Sequence, residues 1–352
     1  MNNKRVVVAM SGGIDSSVAA KLLIEQGYEV IGVTFDMYNF DKKTLYNSNV
    51  CDALIIADKL GIKHFTVDIK DDFEQKVIQY FVNSYFSGTT PNPCTLCNRI
   101  VKWKHLIDFA DNVGAMYVAT GHYAKIFESN GRFYISKGFD IFKDQSYFLW
   151  NLSQEQISRT IFPLNNLKKE QIKEVAAELG FSNVLHKRES FDVCFTRGMD
   201  YRVFINYYAN RMGYKHSSGD IVTEDGKVVG KHNGFINYTI GQRKGLNVAM
   251  GVPYFVKKID VENNRIIICS RDDLNSKSMF IKDVNFQKFS NVDNEIDFTV
   301  KIRYRDAGHN AKFECYNDVL KVVFDKPVFA IAAGQSAVIY QGDDIVAGGV
   351  II

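Results

Sequence analysis

Two cysteines about a hundred residues apart stand in contexts that could make them reactive. Cys97 lies in Pro91-Asn92-Pro93-Cys94-Thr95-Leu96-Cys97-Asn98, at the predicted start of a helix, where the helix dipole favours a thiolate and so lowers the thiol pKa. Cys194 lies in Arg188-Glu189-Ser190-Phe191-Asp192-Val193-Cys194-Phe195, with Asp200 and Tyr201 just beyond. Spacing alone leaves both as candidates, because cysteines on loops are commonly inert thiols. A second motif carries a different chemistry. Ser11-Gly12-Gly13-Ile14-Asp15-Ser16-Ser17 joins a predicted strand to a predicted helix, where backbone N–H groups and the helix dipole together make an anion site. The glycines admit a phosphate close to the backbone and Ser11, Ser16 and Ser17 add hydroxyl donors, but the lysine of a Walker-A loop is missing, so γ-phosphoryl transfer of that kind is not expected. The plainer alternative is a Gly/Ser turn with Asp15 and Ser16 capping a helix.

These residues need a scaffold. The first third alternates β-branched runs with amphipathic segments, the pattern of a parallel sheet covered by helices. Strands are predicted at 5–9, 30–35, 64–67 and 115–120, and helices at 16–26, 50–60, 72–86, 98–112 and 168–179. The stretch 87–97, with Pro91 and Pro93, reads as a loop because each proline pushes its predecessor to extended geometry. From about Gly219 the texture changes to short β-rich runs broken by Gly, Asn and Asp, and the last 75 or so residues read as a small antiparallel barrel. The expected fold class is α/β, with an N-terminal parallel-sheet nucleotide-binding domain over 1–205, a small mixed central domain over 206–275 and a C-terminal antiparallel β-barrel over 276–352.

The chain has 352 residues, about two or three domains at roughly 150 residues each. Hydrophobic residues at 46% and charged residues at 24% exclude a disordered or fibrous chain. No apolar run reaches the roughly 18 residues that cross a bilayer, and no cleavable leader is evident, so a soluble, cytoplasmic protein without a membrane partner is expected. A net charge of +3 neither demands nor forbids nucleic acid. Six cysteines are too sparse for a disulfide scaffold. Cys51, Cys269 and Cys315 read as core or half-buried thiols without a role.

The Ser11–Ser17 loop resembles the pyrophosphate (PP) loop of the N-type ATP pyrophosphatases, the adenine nucleotide α-hydrolase-like fold whose members cleave ATP between α and β phosphates to adenylate a substrate oxygen. Further motifs narrow the choice: Pro91-Asn92-Pro93 with Cys97-Asn98, Ala119-Thr120-Gly121-His122-Tyr123-Ala124, Lys143-Asp144-Gln145-Ser146-Tyr147-Phe148, Ser190 with Cys194-Phe195, and Asn237-Tyr238-Thr239-Ile240-Gly241-Gln242-Arg243-Lys244-Gly245-Leu246. Arg303-Tyr304-Arg305 and Ala333-Gly334-Gln335-Ser336-Ala337 follow near the C-terminus. In this order, through nearly the whole chain, they are similar to the bacterial tRNA-specific 2-thiouridylase family.

The resemblance implies that ATP adenylates O2 of wobble uridine 34 and that sulfur then displaces AMP at C2, giving 2-thiouridine. It implies that Cys194 receives a persulfide and that Cys97 attacks or resolves it, leaving a Cys97–Cys194 disulfide. By the same resemblance ATP is held by Ala9, Met10, Ser11, Gly12, Gly13, Ile14, Asp15 and Ser16 with Gly121, and Phe35 lies near adenine where the family has methionine. Asn92, Pro93 and Cys94 would line the target base. His122, Lys143, Asp144, Gln145, Tyr304, Arg305 and Gln335 would contact tRNA. Magnesium should bridge the ATP phosphates. The expected tRNAs are those for Lys, Glu and Gln, and the sulfur donor is a cysteine desulfurase or a relay protein.

Bland alternatives stand beside these. Gln242-Arg243-Lys244-Gly245 could be a solvated basic turn and His122 a structural histidine at a strand end. Arg303, Tyr304 and Arg305 alternate on a predicted strand, placing both arginines on one face, an arrangement suited to a phosphate backbone. One departure from the family changes the chemistry: Cys94 stands where the family has an acid. Cys94, Cys97 and Cys194 could then ligate three irons of a [4Fe-4S] cluster, and no other metal site is expected. An amide-forming ligase of the same superfamily, or a non-catalytic RNA-binding protein, would need neither Cys97 nor Cys194.

Overall fold

A computed structural model describes residues 2–38, 48–181, 193–196, 198–291, 296–316 and 318–352. The stretch Arg188 to Asp192, part of the motif around Cys194, lies outside the described residues. Strand β1 (Asn2–Ala9) leads through the Gly12-Gly13 turn into helix α1 (Ile14–Glu25), followed by β2 (Glu29–Asp36), α2 (Ser48–Leu60) and β3 (Lys63–Asp68). After β4 (Ala115–Ala119) comes a hairpin, β5 (Ala124–Ser129) and β6 (Arg132–Lys137), and then the short β7 (Thr160–Ile161). Five strands form a parallel sheet in the order β3-β2-β1-β4-β7. The order reverses at β1, so the C-terminal ends of β1 and β4 border the crevice where doubly wound sheets take ligands. Val6, Val7 and Val8 are fully buried between helical layers, which is why the strand reads as a continuous β-branched run.

One helical stretch runs from 70 to 86 and another from 93 to 112, each interrupted by a π turn, at Glu74–Ile78 and Asn98–Lys102. The predicted loop therefore ends five residues early: Pro93 opens the second helix at its first position, where a missing N–H costs nothing. Residue 205 lies within the helix Tyr201–Arg211.

The central unit is a mixed sheet of β8 (Gly219–Thr223), β9 (Val228–His232), β10 (Phe255–Asp260) and β11 (Arg265–Cys269), in which β8 and β11 run parallel. Then β12 (Asn275–Phe286), β13 (Phe298–Lys301), β14 (His309–Tyr316), β15 (Val319–Phe329), β16 (Ser336–Gln341) and β17 (Asp344–Ile351) follow. They pair in the order β12-β15-β14-β13-β16-β17, and β17 pairs back onto β12, closing a barrel. Barrel strand β17 also meets hairpin strand β6 at Asp344 and Ser136, which joins the N-terminal domain to the barrel.

Arg303-Tyr304-Arg305 is a turn beyond β13 rather than a strand. The cause is Asp306: its carboxylate accepts the Ile302 N–H at 3.0 Å while its own N–H bonds to the Arg303 carbonyl. Both arginines are exposed and Tyr304 turns inward, so the predicted sidedness survives the loss of the strand. Of the three cysteines expected in or near the core, Cys269 is buried, but Cys51 and Cys315 are exposed on the outer faces of α2 and β14.

Candidate functional site

The Ser11–Ser17 loop is shaped by Gly12, whose φ of +67° is open to glycine, and by the close approach of α2, where an added Cβ would meet the Asn49 carbonyl at 2.3 Å. Gly13 is the N-cap of α1 and offers no side-chain acceptor. The alternative in which Asp15 and Ser16 cap the helix is therefore not what the chain adopts: the Ser16 and Ser17 hydroxyls donate back to the Gly13 carbonyl, and Ser16 Oγ accepts the Ser11 N–H. A first turn capped by glycine turns its N–H dipoles toward an external anion. Ala9 and Met10 end the strand beneath the loop, Met10 N–H bonding the Val33 carbonyl. Phe35 sits one strand away near the crevice, half-buried, its ring 6.1 Å from that of His105.

Two residues that the sequence did not single out hold Asp15. Buried Lys169 reaches both carboxylate oxygens at 2.7 and 2.8 Å, and the Tyr123 hydroxyl donates to one at 2.6 Å. Tyr123 lay inside a recognised motif; Lys169 gave no signal, because 154 residues separate it from Asp15. Gly121 is pressed against the same loop: a Cβ there would stand 2.6 Å from the Ser16 nitrogen.

The cysteine segment is clamped from the barrel. Thr90 N–H bonds the Ala333 carbonyl, Gln335 Nε2 donates to the Thr90 and Pro91 carbonyls, and Asn92 Nδ2 donates to Ser336 Oγ. Asn92 and Pro93 are buried beside Cys94 at the helix start. Gln335, expected to face tRNA, here spends its amide on positioning this segment. After Cys97 comes the π turn, and within it the Arg99 carbonyl accepts a hydrogen bond from Gln156 Nε2 at 2.8 Å.

Cys97 is buried, and burial pushes its thiol up to about 12; Cys94, half-buried, is pushed up to about 11, also by burial. The expectation of a lowered Cys97 pKa is thus overturned in the resting protein. Desolvation of a thiolate outweighs a helix dipole whose first turn lies four residues behind the sulfur. Cys194 is exposed, and its neighbour Phe195 anchors it by packing edge-on against Phe73 and Phe81. All three thiols act electrostatically on Lys102, at the end of the π turn. Beyond Lys102 lies His122, whose Nδ1 is 2.8 Å from the Thr120 hydroxyl and whose ring packs on Trp103. Gly121 thus lies against the phosphate-type loop, and His122 packs on Trp103 in the helical stretch that carries Cys97.

Asp144 is buried and accepts from Gly138 N–H, Ser146 N–H and the Ser146 hydroxyl, so its carboxylate shapes the 138–146 loop rather than facing outward. Gln145 ties that loop to Tyr123 through its Oε1 and its own N–H. Tyr304 donates to the Asp144 carbonyl at 3.0 Å and packs on Phe148. Lys143 remains half-buried on the loop and Arg305 is exposed on its turn. Gln242 closes its own turn through Thr239 and Lys244, leaving Arg243 and Lys244 exposed. Among the described residues no three His, Cys, Asp or Glu side chains converge as metal ligands. The thiols of Cys94, Cys97 and Cys194 do not fit an iron–sulfur cluster in this arrangement, and the six cysteines form no disulfide.

Three family models match in succession: a tRNA methyl transferase HUP domain over residues 4–198, a tRNA methyl transferase PRC-barrel domain over 204–270 and an aminomethyltransferase beta-barrel domain over 276–351. The chain is 45% identical over 354 residues to the tRNA-specific 2-thiouridylase MnmA of Cytophaga hutchinsonii, covering 98% of this chain and 96% of that one. It is 43% identical over 358 residues to the protein of the same name from Amoebophilus asiaticus, covering 99% and 95%. A third relative, tRNA-specific 2-thiouridylase MnmA 2 of Clostridium tetani, is 42% identical over 356 residues, covering 99% and 98%.

Proposed function

The chain belongs to the tRNA-specific 2-thiouridylase family, and from that premise we propose that its two reactive centres act in sequence on one wobble uridine. It is a tRNA sulfurtransferase. The observation that carries this reading is the Gly121-His122 pair, in which Gly121 lies against the phosphate-type loop and His122 packs on Trp103, in the helical stretch that carries Cys97.

In the first step O2 of uridine 34 attacks the α-phosphorus of ATP held by the Ser11–Ser16 loop, and pyrophosphate leaves. The carbonyl oxygen, a poor leaving group, becomes part of AMP. In the second, the terminal sulfur of a Cys194 persulfide attacks C2, and the C2–O bond breaks with AMP taking the electron pair. Cys97 sulfur then attacks Cys194 Sγ, and the bond to the transferred sulfur breaks. Sulfur stays on C2, and the resulting Cys97–Cys194 disulfide is reduced by an external dithiol. Exposure suits Cys194 to collecting sulfur from a cysteine desulfurase or relay protein; burial suits Cys97 to acting only inside the closed site. Magnesium brought in with ATP would supply charge neutralisation at the phosphates; in the loop itself the Asp15 carboxylate is held by Lys169 and Tyr123.

Asn92, Pro93 and Cys94 line the pocket for the base, and Lys143, the Arg303–Arg305 turn and the Arg243-Lys244 turn form the basic rim for RNA. The substrates are the tRNAs for Lys, Glu and Gln, and the reaction is placed in the cytoplasm. Among the described residues no helix is long and apolar enough to cross a membrane. Neither an amide-forming ligase nor a non-catalytic RNA-binding protein would need this pair of thiols.

The test is mass spectrometry of nucleosides from tRNA incubated with the protein, ATP, magnesium and a persulfide source. New 2-thiouridine that vanishes with Cys97→Ser and with Cys194→Ser is the expected outcome. Product that survives either substitution would refute the two-thiol route.

A further inference from the structure

Two large apolar side chains stand in water at the tip of the loop that carries the Lys143–Phe148 motif, and neither has a part in the scheme above. Phe142 is 88% exposed and Ile141 71%, more than any other large apolar residue among those described. They are the two corner residues of a turn that the Lys143 N–H closes on the Asp140 carbonyl at 3.0 Å, positions where glycine, asparagine, aspartate or proline is the usual choice. The turn is fixed from below. Asp140 is buried, and its carboxylate accepts the Phe142 N–H at 3.1 Å and the Lys169 N–H at 3.0 Å. On the near flank the Phe139 N–H bonds the Asn165 carbonyl and the Gly138 N–H bonds the Asp144 carboxylate. Cations gather beside the tip. The Lys125 and Lys168 ammonium groups lie 5.8 and 6.0 Å from the centroid of the exposed Phe139 ring, and Lys143 follows Phe142 directly.

We propose that Phe142, with Ile141 beside it, is a stacking platform for a second, unpaired base of the tRNA, and that Lys125, Lys143 and Lys168 meet the phosphates around that base. The inference rests on the RNA rim described above. Charge selects the occupant. The carboxylates of this loop, Asp140 and Asp144, are buried and taken up by backbone N–H groups, so the tip offers apolar surface and ammonium groups and no anion of its own. A nucleotide matches both halves of that surface, with a flat apolar face and a negative phosphate. Position agrees. The Tyr304 hydroxyl donates to the Asp144 carbonyl, which joins this loop to the Arg303–Arg305 turn. On the other side Lys169, whose N–H the Asp140 carboxylate accepts, reaches Asp15 of the phosphate-type loop with its ammonium group. The reacting uridine is not the base in question, because Asn92 and Pro93 are buried and Phe142 is not. Every base has a face to stack, so the platform adds affinity for tRNA without reading which base it holds.

The experiment measures tRNA binding by wild type, Phe142→Ser, Phe142→Trp and Arg305→Ala over a range of salt concentrations. Phe142→Ser raises Kd by about tenfold, the scale of one base–aromatic stack, and leaves the slope of log Kd against log salt unchanged, because no phosphate contact is lost. In turnover it raises KM for tRNA about as much and keeps kcat within about twofold, the pattern of lost uniform binding. Its Tm equals that of wild type, since the side chain is exposed. Phe142→Trp binds as tightly as wild type. Both native tryptophans, Trp103 and Trp150, are buried, so the added indole reports alone: tRNA quenches its fluorescence and shields it from acrylamide. Arg305→Ala weakens binding and makes the salt slope shallower by about one. Arg305→Ala that binds like wild type would sink the rim reading, and this inference with it. Weakened Arg305→Ala beside Phe142→Ser of unchanged Kd, or an indole that stays open to acrylamide in the complex, would overturn the platform alone. Wild-type dimers that Phe142→Ser converts to monomers with the same tRNA affinity would assign the tip to a second copy of the chain and overturn the proposal, as would slower sulfur uptake from a desulfurase at unchanged tRNA affinity.

Discussion

The imidazole of His122 packs on the Trp103 indole, shares a hydrogen bond with Thr120 and faces the Lys102 ammonium. Burial first and the cation second hold its pKa down at about 3, against an ordinary value of 6.5. In the unfolded chain the ring takes up a proton as pH falls through about 6.5, while the folded chain resists until about 3. The neutral ring's contribution to stability is therefore complete above pH 6.5 and is lost progressively as pH falls through that window. His122→Asn, which keeps a partner for Thr120, removes this dependence. The urea midpoint of wild type should drop more between pH 7 and pH 4.5 than that of His122→Asn, and equal drops would refute the assignment. At this scale the sequence singled out Cys97, Cys194, Gly121 and His122 as candidates, because short motifs keep neighbours together. It did not single out Lys169. Nothing local distinguishes a lysine that reaches a loop carboxylate from the many that point to water, and the Cys97 pKa depended on a burial that no spacing encodes.

Helices and strands were legible where periodicity was strong, and misread where a single residue overrode it. Pro93 reads as a loop former until its place at the first position of a helix is seen, and Asp306 turns what alternates like a strand into a bend. The π turn at 98–102 is invisible to pattern reading, since its apolar positions still fall near one face; the donor to its Arg99 carbonyl, Gln156, comes from another helix. Strand β17 carries a comparable constraint. Gly348 lies beneath the Trp150 indole, and a Cβ there would stand 2.5 Å from the ring. Trp150 is fully buried and cannot swing away. Gly348→Ala should destabilise the protein by about 1–3 kcal/mol, the ordinary cost of overpacking a filled site. Thermal unfolding measures it, and an unchanged Tm would mean that the strand can shift.

The whole molecule is held together by a small number of polar residues spanning its parts. Gln287, just beyond β12 and fully buried, accepts the Ile135 N–H and donates to the Leu149 and Trp150 carbonyls, while its own carbonyl accepts from Arg132 and Gln154. It stitches the barrel to the β5–β6 hairpin and to the segment leading from the Lys143–Phe148 motif. Gln287→Leu fills the space but strands those backbone groups, at a cost of about 3 kcal/mol. Its urea midpoint should fall well below that of wild type, and 2-thiouridine formation should weaken with it, because the barrel loop at 333–336 positions the cysteine segment. Loss of stability with full activity at low temperature would mean that barrel docking does not tune the site.

The α/β class, the change to β-rich texture after residue 219 and the order of the motifs were determined by the sequence itself. Strand periodicity, turn residues and phosphate-loop chemistry are local, and they act before any tertiary contact forms. Tertiary structure alone decided which of those motifs share a site and in what ionisation state. Asp15 meets Lys169 across 154 residues, Asn92 meets Ser336 across 244, and Gly121 meets the Ser11–Ser16 loop at the Ser16 nitrogen. Such meetings are set by which apolar faces bury together, and a thiol's charge by how much water that burial removes; neither is a property of any segment of the chain taken alone.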